Sequence, residues 1–559
     1  MAPEPVILPS ILEDGPADLV GQLLREQQDM SAVDRFARAH DACALKPGGI
    51  YRDLMPVTAP ARGQQYAFEV DLDACTGCKA CVAGCHSLNG LGDNEAWRKV
   101  GAIHGGNPAL PMLQHVTTAC HHCLEPACML GCPAKAYEKD PQTGIVRHLD
   151  DQCIGCRYCE LTCPYEVPQF NAVLGIVRKC DMCSQRLGAG EAPACVQSCP
   201  NEAIRIVVVD QQAAKKAAAV NFMPIAGAPD TSHTLPTTRY RTRKSWWREE
   251  IARVDQGALP LGEAHPPLTA MLVLTQISAG ATVAAAAAAR MPTDSASAAL
   301  LAVFAILAGA AGMVAATLHL GRPLYAFRAV LGWRRSWLSR EVIAFGAYMP
   351  ALSGAAFFAV LEVWPGLVIV PFPIPFPLER LLGAAALLGL AGVACSACIY
   401  MVTPRPAWAH PRTAGKFLLT TWGGCCAASA IAAAFLGNTP AGINPRVWCA
   451  LWVAGTVAKF ILEGWLQFSR PQNALLAKTP RLLQGRLHLL AGRRWMLGAF
   501  GGVALPLLLA LGADLWSGPA LGAAFLALLA FFLWAAGEFA ERHLFFIATA
   551  HTSMPGGTP

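Results

Sequence analysis

The sequence predicts a small α+β domain dense in cysteine, followed by an all-α polytopic membrane domain of eight transmembrane helices. Two observations carry this. Seventeen of the 22 cysteines precede residue 265, and sixteen of those fall in four tight runs. Eight apolar stretches then follow in series, each reaching the ~20 residues that cross a ~30 Å hydrocarbon core at 1.5 Å per residue. The averages over all 559 residues, 54% hydrophobic and 15% charged with a mean hydropathy of +0.37, conceal that division.

Taken in order, residues 1–65 read as an N-terminal extension with one amphipathic helix, Pro16 to His40, and a solitary Cys43 read as a plain thiol. The first residues have neither a basic stretch before an apolar one nor a twin-arginine pair, so no export signal is expected. Residues 66–209 interleave strand-like segments (YAFEVDLD, IRIVVVD) with the cysteine runs. Residues 210–264 are a linker that turns basic, its Trp246 and Trp247 suited to a headgroup layer. Residues 265–550 form the membrane domain and 551–559 a tail.

The spans are expected near 268–289, 297–318, 341–363, 381–402, 416–437, 447–468, 495–516 and 519–546. One buried soluble helix can imitate a span; eight in series cannot. The basic part of the linker before the first span and the loops on the N-terminal side hold twenty Lys and Arg residues, and the loops on the other side hold three (Arg290, Arg380, Arg446). The positive-inside rule therefore puts both termini and the cysteine domain in the cytoplasm, which makes the chain a multi-pass protein of the cytoplasmic (inner) membrane. The net charge of +6 is topological on this reading and does not point to nucleic acid.

The four runs are CTGCKACVAGC (Cys75, Cys78, Cys81, Cys85), CHHCLEPACMLGCP (Cys120, Cys123, Cys128, Cys132), CIGCRYCELTCP (Cys153, Cys156, Cys159, Cys163) and CDMCSQRLGAGEAPACVQSCP (Cys180, Cys183, Cys195, Cys199). Three closely spaced thiolates wrap one face of an iron–sulfur cube, and a fourth followed by Pro is aimed at a second cube. Thiolate is a soft anionic donor suited to such clusters. Gly77, Gly155 and Gly131 are expected to let the backbone curl close and turn amides toward the sulfurs. Cys-only zinc sites are the alternative, and sixteen cysteines in this repeated grammar make them remote.

These motifs resemble the four-cluster ferredoxin subunit of the dimethyl sulfoxide reductase family of molybdoenzymes, which implies an α+β double ferredoxin-like iron–sulfur domain. The resemblance implies four 4Fe-4S clusters: Cys75, Cys78, Cys81 and Cys199; Cys180, Cys183, Cys195 and Cys85; Cys120, Cys123, Cys128 and Cys163; and Cys153, Cys156, Cys159 and Cys132. The stretch TLHLGRPLYAFRAVLGWRRSWLSREVIAFG, residues 317–346, and GEFAERHLFF, residues 537–546, are similar to the anchor subunit of the same reductases. That similarity implies eight spans, no haem, and a quinone/quinol site with His319 and Glu341 binding the quinol and taking its protons. It further implies a separate molybdopterin-containing catalytic subunit as partner, with lipid and the quinone pool as the other contacts.

The residues agree. His319 ends the second span on the charged side, and an imidazole with a pKa of ~6.5 suits proton transfer. Glu341 begins the third span at a matching depth, where an acid should face protein or water. Haem b needs two imidazoles at membrane depth, yet only His319 and His543 lie at span edges. Cys395, Cys398, Cys425, Cys426 and Cys449 read as packing residues. Glu463 and Glu538 are either steps in a proton path or partners of Lys459 and Arg542 one turn away. No pterin-binding domain is present, so the reading is an electron-transfer and anchoring subunit whose substrate chemistry happens on a separate polypeptide. A molybdenum-independent quinone oxidoreductase module and a structural anchor are the alternatives. A cytoplasmic partner would favour relatives such as quinone-linked sulfite dehydrogenase or a nitrate reductase over an exported sulfoxide reductase.

Overall fold

A computed structural model describes residues 51–107, 110–219, 225–243, 251–291, 294–365, 377–408, 411–437, 440–512 and 521–556. The expected helix Pro16 to His40, Cys43, Trp246 and Trp247 lie outside these residues. The protein divides into two compact units. The first holds everything up to Leu124, Asp140–Ile145 and Cys180–Gln256; the second holds Glu125–Lys139, Val146–Lys179 and all that follows from Gly257.

In the first unit the two segments read as strands become partners. Gln64–Asp71 pairs antiparallel with Ile204–Asp210, from Gln64 opposite Asp210 to Val70 opposite Ile204. Arg239–Arg241 adds in parallel on the other edge. Alternate apolar residues bury one face, with Phe68, Val70, Ile204 and Ile206 among the buried side chains. A second sheet pairs Lys99–Asn107 with Leu110–Thr118 and is edged by Ala252–Arg253. Short helices Ala80–Leu88 and Ala194–Gln197 carry cysteines from the first and fourth runs.

In the second unit, two short hairpins, Tyr137–Lys139 with Val146–His148 and Gln169–Asn171 with Ile176–Arg178, accompany the helices Ala127–Gly131 and Tyr158–Thr162. Eight helices among the described residues are long and apolar enough to cross a membrane: Pro266–Ala288, Ser295–Leu318, Trp337–Val363, Leu378–Met401, Pro411–Leu436, Pro445–Phe468, His488–Gly512 and Leu521–Ile547, numbered spans 1 to 8. Spans 1 and 5 are the most enclosed, 72% buried each. Small residues let them approach: a Cβ on Gly280 of span 1 would stand 2.1 Å from the Thr421 carbonyl oxygen of span 5. The outer faces present Leu307, Leu387, Ile461, Phe525 and Phe532, the apolar surface that lipid requires.

Several helices start earlier than the sequence reading, the larger differences where a charged residue truncated an apolar window or a proline opened the helix early. Span 7 starts at His488 rather than near 495, because Arg494 is no loop residue but a buried guanidinium paired to Glu463. It passes through a π-helical turn at Phe500–Ala504. Span 3 starts at Trp337, its Arg340 turned back onto the carbonyls of Trp333 and Arg334. Span 1 starts at Pro266, since proline at the first helical position is already set to helical φ.

Candidate iron–sulfur and quinone sites

The four runs share one backbone device. The residue two after the first cysteine of each run has positive φ: Gly77 at 76°, His122 at 41°, Gly155 at 69° and Met182 at 61°. That turn aims an amide back at the sulfur. The N–H of His122 reaches Cys120 Sγ at 3.5 Å, Gly155 reaches Cys153 at 3.4 Å and Met182 reaches Cys180 at 3.4 Å. The Cys-Pro turns repeat a second device: Lys135, Glu166 and Glu202, each three residues past its cysteine, stand at φ 54°, 53° and 52°. There Ala136 donates to Cys132 Sγ at 3.2 Å and Ala203 to Cys199 Sγ at 3.3 Å. Left-handed backbone at a non-glycine residue costs roughly 1–2 kcal/mol, so such repetition marks a site that uses it. Amides directed at sulfur stabilise thiolate, which is what iron–sulfur ligands require.

Within the first unit, Cys75, Cys78, Cys81 and Cys199 crowd together. Burial pushes the Cys75 thiol up to about 11, the Gly77 amide opposes this, and the other three sulfurs push it further. Cys85 is pushed up to about 12 by burial and by Cys195, with Arg98 opposing and Cys183 adding; Cys180 is raised by burial and then by Cys120, Cys85 and Cys195. In the second unit, burial raises the Cys156 thiol, and Cys132 and Cys153 raise it further. Cys120 and Cys123 belong to the first unit, Cys128 and Cys163 to the second. All these cysteines are free. Among the described residues no three His, Cys, Asp or Glu side chains converge as they would on a single metal ion. The donor set, the crowding and the amides fit iron–sulfur clusters.

Gly131 does not act as expected. It lies inside the helix Ala127–Gly131 and serves packing instead: a Cβ there would meet Thr162 Cγ2 at 3.1 Å and Tyr158 Cε1 at 3.3 Å.

The loop after span 2 docks backbone to backbone on the third run. Gly321 N–H donates to the Gly155 carbonyl at 3.3 Å and Arg322 N–H to that of Ile154 at 3.1 Å. A Cβ on Gly321 would stand 2.2 Å from the Gly175 oxygen, so only glycine fits. Further along, Gly332 N–H donates to the Pro133 carbonyl at 2.7 Å and Ser336 Oγ to that of Gly131 at 2.7 Å.

Beneath this dock lies a cavity of ≈ 170 Å³ lined mainly by apolar side chains, with Cys156, Tyr158, His265, Thr317, His319, Glu341, Tyr400 and the ion pair of Arg157 with Glu160 as its polar groups. His319 and Glu341, which the sequence reading assigned to one quinol site, line one chamber with a cysteine of the third run. The Cys156 backbone hydrogen-bonds the His319 ring, while burial and nearby Arg157 together hold the imidazole below its usual range. Glu341 is buried, and Ser396 Oγ donates to its Oε1. Tyr158 donates to the Ile399 carbonyl at 3.1 Å, tying the third run to span 4.

His265 escaped the sequence reading. It stands against His319, ring centroids 5.4 Å apart and edge to face. Starting span 1 at the Pro266–Pro267 pair would have put it at a span edge.

Glu463 and Glu538 pair across helices rather than along them. Arg494 of span 7 grips Glu463 of span 6 with two hydrogen bonds, 2.8 and 3.0 Å, and reaches Glu538 of span 8 at 3.1 Å. Lys459 bonds Glu538 and lies 3.3 Å from Glu541, which also meets Lys416 at 3.2 Å. These pairs tie spans 5, 6, 7 and 8 together.

Comparison with known proteins matches two parts of the sequence. A 4Fe-4S dicluster domain matches residues 112–209, and the DMSO reductase anchor subunit (DmsC) family matches residues 261–462. The B subunit of the anaerobic dimethyl sulfoxide reductase of Haemophilus influenzae is 34% identical over 190 residues, 32% of this protein and 91% of that one. Its counterpart in Escherichia coli is 34% identical over 180 residues, 31% of this protein and 86% of that one. The thiosulfate reductase electron transfer subunit PhsB of Salmonella typhi is 36% identical over 150 residues, 26% of this protein and 78% of that one. The protein therefore belongs to the family of dimethyl sulfoxide reductase iron–sulfur subunits, fused in one polypeptide to an anchor of the same reductases, and is a multi-pass iron–sulfur protein of electron transfer and membrane anchoring.

Proposed function

We propose that the protein relays electrons between quinol bound in the cavity at His319 and Glu341 and a separate molybdopterin-containing catalytic subunit, through four 4Fe-4S clusters. The observation that carries this reading is the shared chamber: one cavity holds a half-buried imidazole, a buried carboxyl group and a cysteine of the third run. Cys75, Cys78, Cys81 and Cys199 would hold one cluster, Cys180, Cys183, Cys195 and Cys85 a second, and Cys153, Cys156, Cys159 and Cys132 the fourth, while the third set, Cys120, Cys123, Cys128 and Cys163, rests on the family resemblance. The crowding of sulfurs within single units supports the first, second and fourth sets.

A bound quinol supplies two electrons and two protons on becoming quinone. The His319 ring nitrogen facing the Cys156 carbonyl carries hydrogen, so its other nitrogen is the acceptor for a quinol hydroxyl. Its depressed basicity keeps it neutral and ready to accept. Glu341, fixed by Ser396, takes the second proton. The largely apolar walls limit bulk water, and the Cys156 loop at the cavity wall would place a ligand of the fourth cluster beside the quinol, a one-electron acceptor when that cluster is bound. The same groups serve the reverse flow. The excess of basic residues on one side supports a cytoplasmic iron–sulfur domain in the cytoplasmic membrane, with the molybdopterin partner on that side.

Stopped-flow reduction of the detergent-solubilised protein by a quinol analogue tests this. His319→Ala should slow cluster reduction by ~10²–10⁴-fold, the usual contribution of a general acid–base group, with iron content unchanged. Glu341→Gln should slow it too, since the amide still accepts from Ser396 but takes no proton. Wild-type rates in both variants would move the quinone site elsewhere.

A further inference from the structure

Arg98 has no place in the relay described so far. Its side chain is 1% exposed, lying 4.6 Å over the Phe68 ring and donating from Nη1 to Thr117 Oγ1 at 3.2 Å. That same hydroxyl lies 3.5 Å from Cys81 Sγ. Among the described residues no carboxylate pairs with Arg98. Glu69, buried in the same unit, is engaged by Arg241 at 3.0 Å, and Glu95 accepts from the Gly92 N–H at 2.9 Å. Nε and Nη2 are buried and, among the described residues, meet no hydrogen-bond acceptor, oxygen or sulfur. The groups of opposite potential charge that bear on it most are the sulfurs of Cys195, Cys81, Cys180 and Cys85.

A buried guanidinium without an anion is prohibitively costly. The groups around it that become anionic on binding iron are cysteine sulfurs, and they come from two ligand sets, Cys81 from one and Cys85, Cys180 and Cys195 from the other. We propose that Arg98 is the shared counter-charge of the two clusters of the first unit and raises the reduction potential of both. The inference rests on the ligand sets proposed above. Each cluster with its four thiolates is an anion that gains one further negative charge when it accepts an electron. A fixed cation in a low-dielectric interior favours that reduced form. Arg98 touches no reacting quinone and is a positioning residue for charge.

Potentiometric titration of the full-length protein, followed by electron paramagnetic resonance and with iron measured on every sample, tests the inference. Arg98→Met should keep its iron while the midpoints of two clusters move to more negative potential and those of the others stay in place. Arg98→Lys, which keeps the charge, should lie nearer to wild type. Should Arg98→Met lose iron, Arg98→Gln carries the same expectation with hydrogen-bond donors retained. Unmoved midpoints in an iron-replete Arg98→Met or Arg98→Gln would overturn the proposal, as would an Arg98→Lys shifted as far as Met. Wild-type protein lacking iron would instead overturn the cluster reading beneath it.

Discussion

Replacing Gly321 by alanine tests the coupling between the third cysteine run and the quinone cavity with one methyl group. That methyl would stand 2.2 Å from the Gly175 oxygen, 2.7 Å from its carbonyl carbon and 2.9 Å from Phe170 Cε2. Two of the three obstacles are backbone, so relief requires the loop to lift. Overpacking of this kind costs ~1–3 kcal/mol, and lifting also stretches the bonds from Gly321 N–H to Gly155 and Arg322 N–H to Ile154, each worth ~0.5–1.5 kcal/mol. The total of roughly 2–6 kcal/mol falls on the element that carries Cys156 into the cavity wall. A misplacement of about 1 Å in a reacting geometry can cost ~10²-fold in rate. Stopped-flow reduction by a quinol analogue should therefore slow by at least about tenfold in Gly321→Ala, while dithionite still reduces the clusters. Gly346→Ala in span 3 is the control, because nothing lies within 4 Å of a Cβ there. Equal, wild-type rates in both variants would refute the claim that this dock sets the quinone–cluster geometry.

Three further outcomes follow. Purified protein should hold about sixteen iron and sixteen acid-labile sulfide, and Cys156→Ser should alter the paramagnetic signal of one cluster only; loss of a signal that Cys75→Ser also abolishes would break the proposed ligand sets. Lys459→Met leaves Glu538 short of a partner inside the spans and should destabilise the membrane domain by ~3–5 kcal/mol, read as an earlier thermal transition in detergent; the double change Lys459→Met with Glu538→Gln should recover part of that loss, and strict additivity would count against their coupling. A reporter fused after Pro559 should be active in the cytoplasm and one near Pro292 on the opposite face, and activity of the first outside the cytoplasm would reverse the orientation.

Much of this protein is local along the polypeptide and was legible there. Cluster ligands recur at fixed short spacings because one turn of backbone must present several sulfurs and an amide together, so CxxC grammar survives as text. A span announces itself because lipid demands some twenty apolar residues in a row. His319 and Glu341 were visible as ionisable residues at span edges of matching depth, and the family resemblance paired them. Only the folded protein decided what they face: the sequence separates Cys156, His265, His319, Glu341 and Tyr400 by up to 244 residues, and packing of spans 1 to 4 against the third run closes one cavity around them. Charge partners were likewise undecidable from the sequence, since Glu463 has Lys459 one turn away yet bonds Arg494 from another span, where the guanidinium fork matches both carboxylate oxygens. The role of Gly131 and the buried isolation of Arg98 are of the same kind. Each depends on which atoms from distant segments arrive beside it, a property of three-dimensional packing that no spacing along the polypeptide encodes.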